Sequence, residues 1–337
     1  MNANSRPTIG DVARRAGVSI ATVSRVLNGT APVFPETSQR VLEAIRELRY
    51  VPRTAARVLA GRRTDTIGLL LPEISGAFFS SILRGIEAGV RQAGFNLLIY
   101  ASHDDEKDEL QHPLGDHNTD GLLIFTDSLG KDEITRLHDS GFPMVLLHQS
   151  PPEGNSIPVV TIENKEGAFK IVEHLILDHR RRRIAFLTGP ARHEDSTWRE
   201  YGYRKALETY GIPFDPALVA GGEFDEEVAA AAMERWLAQG VGFDAVFTGD
   251  DEAAIGVLMA LKQAGCRVPE EVSVVGFDDI PIARYLSPAL TTVRAPIEQV
   301  GLEAVRQLVH VIRGEQVELL TLLPIEIVIR NSCGCRR

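Results

Sequence analysis

The sequence contains little cysteine and no long apolar run, and both shortages exclude classes of protein. Three of its 337 residues are cysteine (Cys266, Cys333 and Cys335), too few for a disulfide framework. No apolar stretch reaches the roughly 18 residues of a membrane span. The first ten residues, MNANSRPTIG, lack the apolar core of a signal peptide. We therefore expect a cytoplasmic protein with no membrane partner.

The motifs of nucleotide-dependent and hydrolytic enzymes are also missing. The chain has no G-x-x-x-x-G-K-[ST], no G-x-G-x-x-G and no G-x-S-x-G. Cys333 and Cys335 could bind a metal, but one C-x-C without partner ligands favours a solvent-exposed tail. His112, His117 and His138 lack metal-site spacing as well. We therefore expect no enzyme activity, no metal and no cofactor.

The charge is divided between a basic head and an acidic body. Residues 1–63 hold 11 Arg and 4 acidic residues, a net charge of +7, whereas residues 64–337 hold 25 basic and 42 acidic residues, a net charge of −17. This division predicts a polyanion-binding module joined to a body that does not bind DNA. Composition alone leaves open a basic arm that contacts an acidic protein.

Two short helices joined by a tight turn are predicted between Thr8 and Asn28. Thr8 and Ser19 stand where helix N-caps belong. Gly17 permits the positive φ with which the chain can turn sharply at the end of the first helix. The outer face of the second helix is small, hydroxylated or basic, which fits a DNA major groove. An ordinary helical hairpin is the alternative that these residues leave open. The outer-face residues are Ile20, Ala21, Thr22, Ser24 and Arg25.

A third helix and a linker complete the head. Pro35 begins the third helix, and Pro52 ends the helical run. Residues 53–61, RTAARVLAG, are too few for a helix that is stable alone in water, so we interpret them as a hinge that orders on binding. We place the DNA-binding domain at residues 1–52 and the hinge at 53–63.

The body alternates strand-like apolar runs with amphipathic helices, which predicts parallel sheets with right-handed crossovers. Its length favours two doubly wound lobes over one large sheet. We assign residues 64–162 plus 292–323 to one lobe and 163–291 plus 324–337 to the other. The predicted strands are 66–72, 96–101, 121–126, 144–148, 159–162, 183–188, 245–248, 272–277 and 324–329. The predicted helices are 78–93, 166–178, 198–210, 224–239, 251–264 and 297–313.

Polar and aromatic residues collect at the carboxyl ends of these strands, where doubly wound sheets bind ligands. For two facing lobes, these ends meet at the cleft between them. Fixed carboxylates, an arginine and aromatic walls suit a polyol or sugar. Each carboxylate taken singly is better explained as a turn former or helix N-cap, and only their convergence favours a binding site. The predicted set is Phe78, Phe79, Asp104, Asp127, His148, Trp198, Arg199, Asp250 and Asp278.

Eight segments of the chain resemble the lactose-repressor/galactose-repressor family of bacterial regulators. They are TIGDVARRAGVSIATVSRVLN, YVPRTAARVLAG, TIGLLLPEISGAFFSSILRGIE, DGLLIF, RRIAFLTGP, REYGYRKAL, GDDEAAIGVLMAL and VSVVGFDDIPIARYLSPALTTVRAP. The resemblance implies a helix-turn-helix headpiece, a hinge helix and two lobes of the periplasmic-binding-protein type I kind. It also implies a homodimer, or a dimer of dimers, on a pseudo-palindromic DNA operator. A small effector in the cleft, a sugar or sugar derivative, would control that binding.

The resemblance assigns roles to residues of the head. It implies that Leu59 inserts into the minor groove, although packing within its own hinge is the alternative. Arg53 departs from the asparagine common at its position, which leaves the hinge–phosphate contacts open. It also implies that Ile20, Ala21 and Arg25 read bases and that Thr22, Ser24 and Asn28 contact the DNA backbone. Thr8, Ser19 and Ala56 complete the predicted DNA-binding set.

In the cleft, Phe78 and Phe79 match ligand-wall positions of the family, Arg199 matches the arginine that binds effector oxygens, and Asp278 matches a hydroxyl-binding aspartate. His148 and Asp250 depart from the aspartate and asparagine of many members, which leaves the identity of the effector open.

Three classes of function can be weighed on these residues. A secreted sugar receptor would have a signal peptide and no helix-turn-helix, and an α/β enzyme would have a nucleophile–base pair or a phosphate loop. A transcription regulator requires a basic head, a hinge and a ligand cleft, and the sequence contains all three. We therefore expect an allosteric regulator, with repression as the predicted direction.

Overall fold

The computed structural model describes residues 7–28, 31–48, 50, 63–101 and 113–335. The chain divides into two compact units, residues 1–64 and 65–337. The predicted hinge residues Ala56 and Leu59 lie outside the described residues, as do Asp104 and the side chain of Asn28.

The first unit contains three helices: α1 (Ile9–Ala16), α2 (Ile20–Asn28) and α3 (Pro35–Leu48). Each contributes a valine with no exposed surface to a shared apolar centre: Val12, Val23 and Val41. Gly17 takes the left-handed conformation, with φ 65°, and donates its N–H to carbonyls at the end of α1. The three predicted helices and the tight turn are therefore confirmed.

Within its described residues, the second unit contains two six-stranded sheets. The first sheet has the order β11-β5-β4-β3-β1-β2, and its strands are β1 (Thr66–Leu71), β2 (Asn96–Ala101), β3 (Gly121–Phe125), β4 (Met144–Leu147), β5 (Val159–Ile162) and β11 (Leu320–Leu323). The second has the order β12-β10-β9-β8-β6-β7, and its strands are β6 (Ile184–Thr188), β7 (Val219–Gly221), β8 (Ala245–Thr248), β9 (Ser273–Asp278), β10 (Thr291–Arg294) and β12 (Glu326–Val328). All recorded pairs are parallel except β10 with β12.

Helices cover these sheets, which is why strands such as β3 and β4 are buried along their whole length. The helices are α4 (Gly76–Ala93), α5 (Lys131–Asp139), α6 (Asn164–Leu177), α7 (Glu194–Thr209), α8 (Glu226–Ala238), α9 (Asp251–Gln263) and α10 (Ile297–Ile312). α4 and α10 pack closely in the first lobe, where a Cβ added at Gly85 would lie 1.9 Å from the Glu298 carbonyl oxygen. In the part of the chain that the structure describes, no helix combines the length and apolarity needed to cross a membrane.

The strand pairing corrects the predicted lobe boundary at residue 292. β10 pairs with β9 and β12 in the second sheet, so residues 292–294 belong to the second lobe and the chain crosses after Arg294. Leu320–Leu323 joins the first sheet, and Glu326–Val328, which lies within the predicted strand 324–329, joins the second. Sequence patterning did not predict β11, because this strand is short and only partly buried.

The carboxyl-terminal tail is a second correction. The backbone of Ser332 is hydrogen-bonded to the second sheet, where Val274 donates its N–H to the Ser332 carbonyl over 2.9 Å. Cys333 has no exposed surface. The prediction of a solvent-exposed tail is therefore wrong at Cys333, because the tail packs on the second lobe.

Candidate functional site

The outer face of α2 carries the predicted DNA-reading residues. Ile20 is 54% exposed, and Ala21 and Arg25 are also exposed, whereas Thr22 and Ser24 are half-buried. More than half of the Ile20 surface thus faces solvent and not its own bundle. This face therefore presents a small apolar patch and one long cation to the solvent.

Thr8 and Ser19 use their hydroxyls within the bundle. Thr8 and Asp11 form a capping box, in which the Asp11 backbone N–H donates to Thr8 Oγ1 and the Thr8 backbone N–H donates to the Asp11 carboxylate. Ser19 Oγ accepts the Thr22 backbone N–H over 3.1 Å. These hydroxyls fix the first turns of α1 and α2, and thus the orientation of the exposed face.

Arg199 lies at the centre of the second unit, in the second turn of α7, and is 2% exposed. It donates from Nε to Asn164 Oδ1 over 2.9 Å and from a terminal nitrogen to Asp278 Oδ1 over 3.1 Å. The other terminal nitrogen donates to the Gly249 carbonyl oxygen over 2.5 Å. The guanidinium carbon lies 3.8 Å from the centroid of the Phe277 ring. Partners from α6, from β9 and from the residue that follows β8 thus hold this cation in one orientation.

The two lobes meet at a buried histidine–aspartate pair beside this cation. His148 follows β4 in the first lobe, and its Nδ1 lies 2.7 Å from Asp195 Oδ2 on α7 of the second lobe. Asn164 Nδ2 donates to the other oxygen of Asp195 over 2.7 Å. His148 Nε2 is buried and has no hydrogen-bond partner within the described residues. That nitrogen is a polar group available to a ligand in the cleft.

Aromatic rings line the cleft from both lobes. Phe78 lies 5.4 Å from Phe79 and 5.8 Å from His148, measured between ring centroids. Phe125 contacts all three of these rings and also lies 6.2 Å from His193 of the second lobe. Ring faces and edges at these distances form the walls that a flat, hydroxylated ring needs.

Two cavities flank this polar and aromatic centre. One, of about 420 Å³, is lined by residues that include Phe78 and Asp278. The other, of about 570 Å³, is lined by residues that include His148, Asp195 and Trp198. Trp198 is 36% exposed, and its ring lies under the Lys165 ammonium at 3.7 Å. The structure thus places Trp198 at the side of the cleft.

Burial makes the carboxylates of the cleft unequal. Burial, with the neighbouring charge of Asp278, raises the pKa of Asp250 to about 8, and burial also raises the pKa of Asp278 despite Arg199. For Asp195, burial opposes ionisation, but His148 and Arg199 outweigh it and lower its pKa. Asp127 takes a positive φ of 59° after β3 and lies close enough to affect the pKa of His193, which burial lowers. These pKa shifts favour the protonated form of Asp250 and the ionised form of Asp195 at neutral pH.

The structure confirms the interpretation of Asp250 as a helix N-cap. Its side chain caps α9 by accepting the Ala253 backbone N–H over 2.9 Å. The cap and the cleft position coexist, because α9 begins at the carboxyl end of β8.

Residues 8–53 match the profile described as "Bacterial regulatory proteins, lacI family", and residues 172–333 match a periplasmic binding protein-like domain. Catabolite control protein A of Priestia megaterium is 34% identical over 333 residues, which cover 96% of this chain and 98% of that protein. The chain belongs to the LacI family.

Solved structures give the same assignment for the fold. A CelR–cellobiose complex is 33% identical, with a TM-score of 0.74, and the match covers 97% of this chain and 100% of that one. The lac repressor dimer bound to operator and the anti-inducer ONPF is 27% identical, with a TM-score of 0.84, over 98% of this chain and 99% of that one. This LacI-family protein is a DNA-binding transcription regulator and not an enzyme.

Sequence reasoning missed several residues of the cleft in this LacI-family chain. Asn164 and Asp195 stand in the first turns of α6 and α7, where helix starts explain them equally well. Phe224 lies 5.4 Å from His193 and takes a positive φ of 56°, a conformation that sequence alone does not mark for phenylalanine. Phe125 could have been found, because it lies next to the carboxyl end of the predicted strand 121–126.

Proposed function

We propose that this regulator is a repressor that binds a pseudo-palindromic operator as a homodimer in the cytoplasm, and that a neutral sugar in the interlobe cleft controls this binding. The observation that carries the proposal is the buried Arg199 between Asp278 and the interlobe pair of His148 and Asp195. Fixed donors and acceptors of this kind, beside aromatic rings, match the hydroxyls and the faces of a sugar.

The charges of the cleft favour a neutral sugar over a sugar phosphate. Arg199 already donates to Asp278 and lies 3.8 Å from Asp195, so its charge is balanced by the protein. The raised pKa of Asp250, about 8, favours its neutral form, which can donate a hydrogen bond to a hydroxyl oxygen. A phosphate bound at Arg199 would also meet the carboxylate of Asp195, which lies 3.8 Å from that guanidinium and repels a second anion.

The relatives support the same ligand class. The CelR structure is a complex with cellobiose, and a LacI-family regulator from Enterococcus faecium, 28% identical over 79% of this chain, contains bound ribose. We infer that Phe78, Phe79, Asp127, His148, Arg199, Asp250 and Asp278 contact the effector, with Trp198 at the side. Asp104, outside the described residues, stays a prediction.

The DNA interface is proposed on the exposed face of α2. Ile20, Ala21 and Arg25 would read bases, and Thr22 and Ser24 would contact the backbone. The lac repressor dimer bound to its operator supports the two-fold arrangement. The hinge residues Ala56 and Leu59, together with the Asn28 side chain, would complete the interface.

The homodimer has apolar surface available on the second unit. Leu98 and Ile99 are 39% and 41% exposed on β2, which is the last strand in the order of its sheet. An exposed apolar edge strand is a surface that proteins normally cover. A second copy of the chain would cover it.

A thermal-shift screen of the full chain tests the effector proposal. The probes are neutral mono- and disaccharides, the corresponding sugar phosphates, and nucleobases, because a bound ligand raises the melting temperature by mass action. We expect a neutral saccharide to stabilise the protein and to change operator binding in fluorescence anisotropy. Stabilisation by phosphorylated sugars alone would contradict the proposal.

Two variants test whether the rise in melting temperature comes from binding in the cleft. Arg199→Lys keeps the charge but loses the three-way hydrogen bonding of the guanidinium, so it should abolish the saccharide response while operator binding persists. Arg204→Lys is the matched control on the same helix, because Arg204 pairs with Glu200 at the surface. A saccharide response that survives in Arg199→Lys would move the site elsewhere.

A further inference from the structure

Two histidines and two cysteines converge where the carboxyl-terminal tail meets the second lobe. His174 lies in the last turn of α6 and His179 just after that helix, while Cys333 and Cys335 come from the tail. One potential ligand atom from each residue lies within 4.8 Å of the other three. Neither the effector cleft nor the DNA-reading face uses these residues.

Four of the six separations among these atoms match the edges of a tetrahedron around one metal ion, and the other two are within 4.8 Å. Zinc bonds of about 2.3 Å to sulfur and about 2.0–2.1 Å to nitrogen place tetrahedral ligands about 3.3 Å apart for two nitrogens and about 3.6 Å apart for nitrogen and sulfur. The two Nε2 atoms of His174 and His179 lie 3.2 Å apart. Cys335 Sγ lies 3.4 Å from His179 Nε2 and 3.8 Å from His174 Nε2, and Cys333 Sγ lies 3.4 Å from His174 Nε2.

The groups around the cluster orient it as the surroundings of a metal site do. His174 directs Nε2 inward because its Nδ1 lies 2.6 Å from the Asp178 carboxylate. A carboxylate on the outer nitrogen fixes the tautomer of a metal-bound histidine and increases its basicity. Thr291 Oγ1 lies 3.1 Å from Cys333 Sγ, where its hydroxyl can donate to a thiolate.

The backbone between the cysteines is shaped to bring both sulfurs to one point. Gly334 has a φ of 114°, and a Cβ at this position would lie 3.1 Å from His179 Nδ1. Glycine is therefore required there by both conformation and space. Ser332, just before, donates through Oγ to the Val274 carbonyl and accepts the Thr291 N–H, so the cysteine segment is fixed to the second sheet.

We propose that His174, His179, Cys333 and Cys335 bind one zinc ion that ties the tail to α6. Two thiolates and two imidazoles in tetrahedral geometry are a donor set of structural zinc sites, and four protein ligands leave no open position for catalysis. The ion links residues 159 positions apart in the chain, His174 and Cys333, and so closes a long loop whose ends would otherwise cost entropy to hold together.

Metal analysis of the full-length protein, with any affinity tag removed, tests the site. The protein is incubated with zinc, freed of unbound ion by gel filtration, and its zinc is measured by mass spectrometry. We expect about one zinc per chain. Reconstitution with cobalt should give thiolate-to-cobalt charge-transfer absorption and the intense visible bands of a tetrahedral site.

The variants separate this site from adventitious zinc. Cys335→Ser and His179→Gln each remove one ligand near the surface and should lose the zinc and the charge-transfer absorption. Cys266→Ser removes the cysteine that lies outside the cluster and should retain both. Circular dichroism establishes that each variant is folded, and His174→Gln is the further variant if one of them is not.

Two outcomes would overturn the proposal. One is a folded wild-type protein that retains no zinc after gel filtration. The other is zinc that persists equally in the Cys335→Ser and His179→Gln variants. A disulfide between Cys333 and Cys335, detected by mass spectrometry in protein purified under reducing conditions, would count against the site in the same way.

Discussion

Asp250 is a buried helix cap that we also propose as an effector contact. Its carboxyl group caps α9 and favours the protonated form at neutral pH, because burial and Asp278 raise its pKa to about 8. Folding therefore takes up a proton between the unfolded pKa near 3.8 and the folded value near 8. Over that interval the contribution of Asp250 to stability falls as the pH rises.

The variant Asp250→Asn should remove this pH dependence. Asparagine is an equally good N-cap and has no charge to bury. Its advantage over wild type should be absent below pH 4 and grow, by at most about 1.4 kcal/mol per pH unit, up to about pH 8. Denaturant unfolding across that range measures it.

Asp225→Asn is the control for this experiment, because Asp225 caps α8 in the same way at an exposed position. A difference from wild type that grows equally with pH in both variants would show that the effect does not come from burial at Asp250.

Arg25 is the residue expected to choose the DNA sequence. It is exposed on the outer face of α2, and arginine is the side chain that most often reads guanine in the major groove. Arg25→Ala should reduce discrimination between operator and random DNA by roughly 1–3 kcal/mol. Arg14→Ala on α1, where Arg14 pairs with Asp11, should leave the specificity ratio unchanged. Titrations of both DNAs at one salt concentration decide the point.

The residues of the cleft were predictable where a strand end or a family position marked them. His148, Arg199, Asp250 and Asp278 fall in that class. Asn164 and Asp195 do not, because their function depends on which neighbour the folded chain brings near. The hydrogen bond between Asp195 and His148 joins residues 47 positions apart, and no local pattern encodes such a pair.

At the scale of elements, the contact between α4 and α10 depends on glycine. A Cβ at Gly85 would lie 1.9 Å from the Glu298 carbonyl oxygen, and one at Gly301 would lie 2.5 Å from the Ile82 carbonyl oxygen. Each helix thus approaches the backbone of the other, and a side chain at either position would force the helices apart.

Gly85→Ala should therefore destabilise the second unit by about 1–3 kcal/mol, despite the higher helix propensity of alanine. Unfolding of the full chain in denaturant, followed by near-ultraviolet circular dichroism, measures the change. Gly242→Ala is the control, because its added Cβ would meet only Arg183 Nε at 3.7 Å. Equal stabilities of the two variants would contradict the close-approach explanation.

The elements themselves were largely predictable from apolar runs and glycine ends. The elements missed were α5, which is mostly polar, and the short strands β7, β10 and β11, which have three or four residues each. β11 is partly exposed, so no buried apolar run marks it in the sequence. The sheet to which β10 belongs follows from its tertiary pairing with β9 and β12.

For the molecule as a whole, regulation requires that the effector and the operator act on one shared equilibrium. The lobes contact each other through the buried His148–Asp195 pair and through Ser150, which donates to Glu194 nearer the surface over 2.9 Å. We expect the sugar to bind the arrangement of the lobes in which both contacts are made. A variant that populates this arrangement less binds the sugar more weakly, because its apparent affinity is proportional to the fraction of molecules in that arrangement.

His148→Leu should therefore weaken sugar binding about tenfold, because it leaves the buried Asp195 without its partner across the cleft. Ser150→Ala should change the sugar affinity less than about twofold, since water replaces the lost hydrogen bond at an exposed position.

Calorimetric titration with the saccharide found in the screen, with and without operator, gives the sugar affinity of each variant. The factor by which operator changes sugar affinity must equal the factor by which sugar changes operator affinity. Equal losses in the two variants would place the controlling contact outside the buried pair.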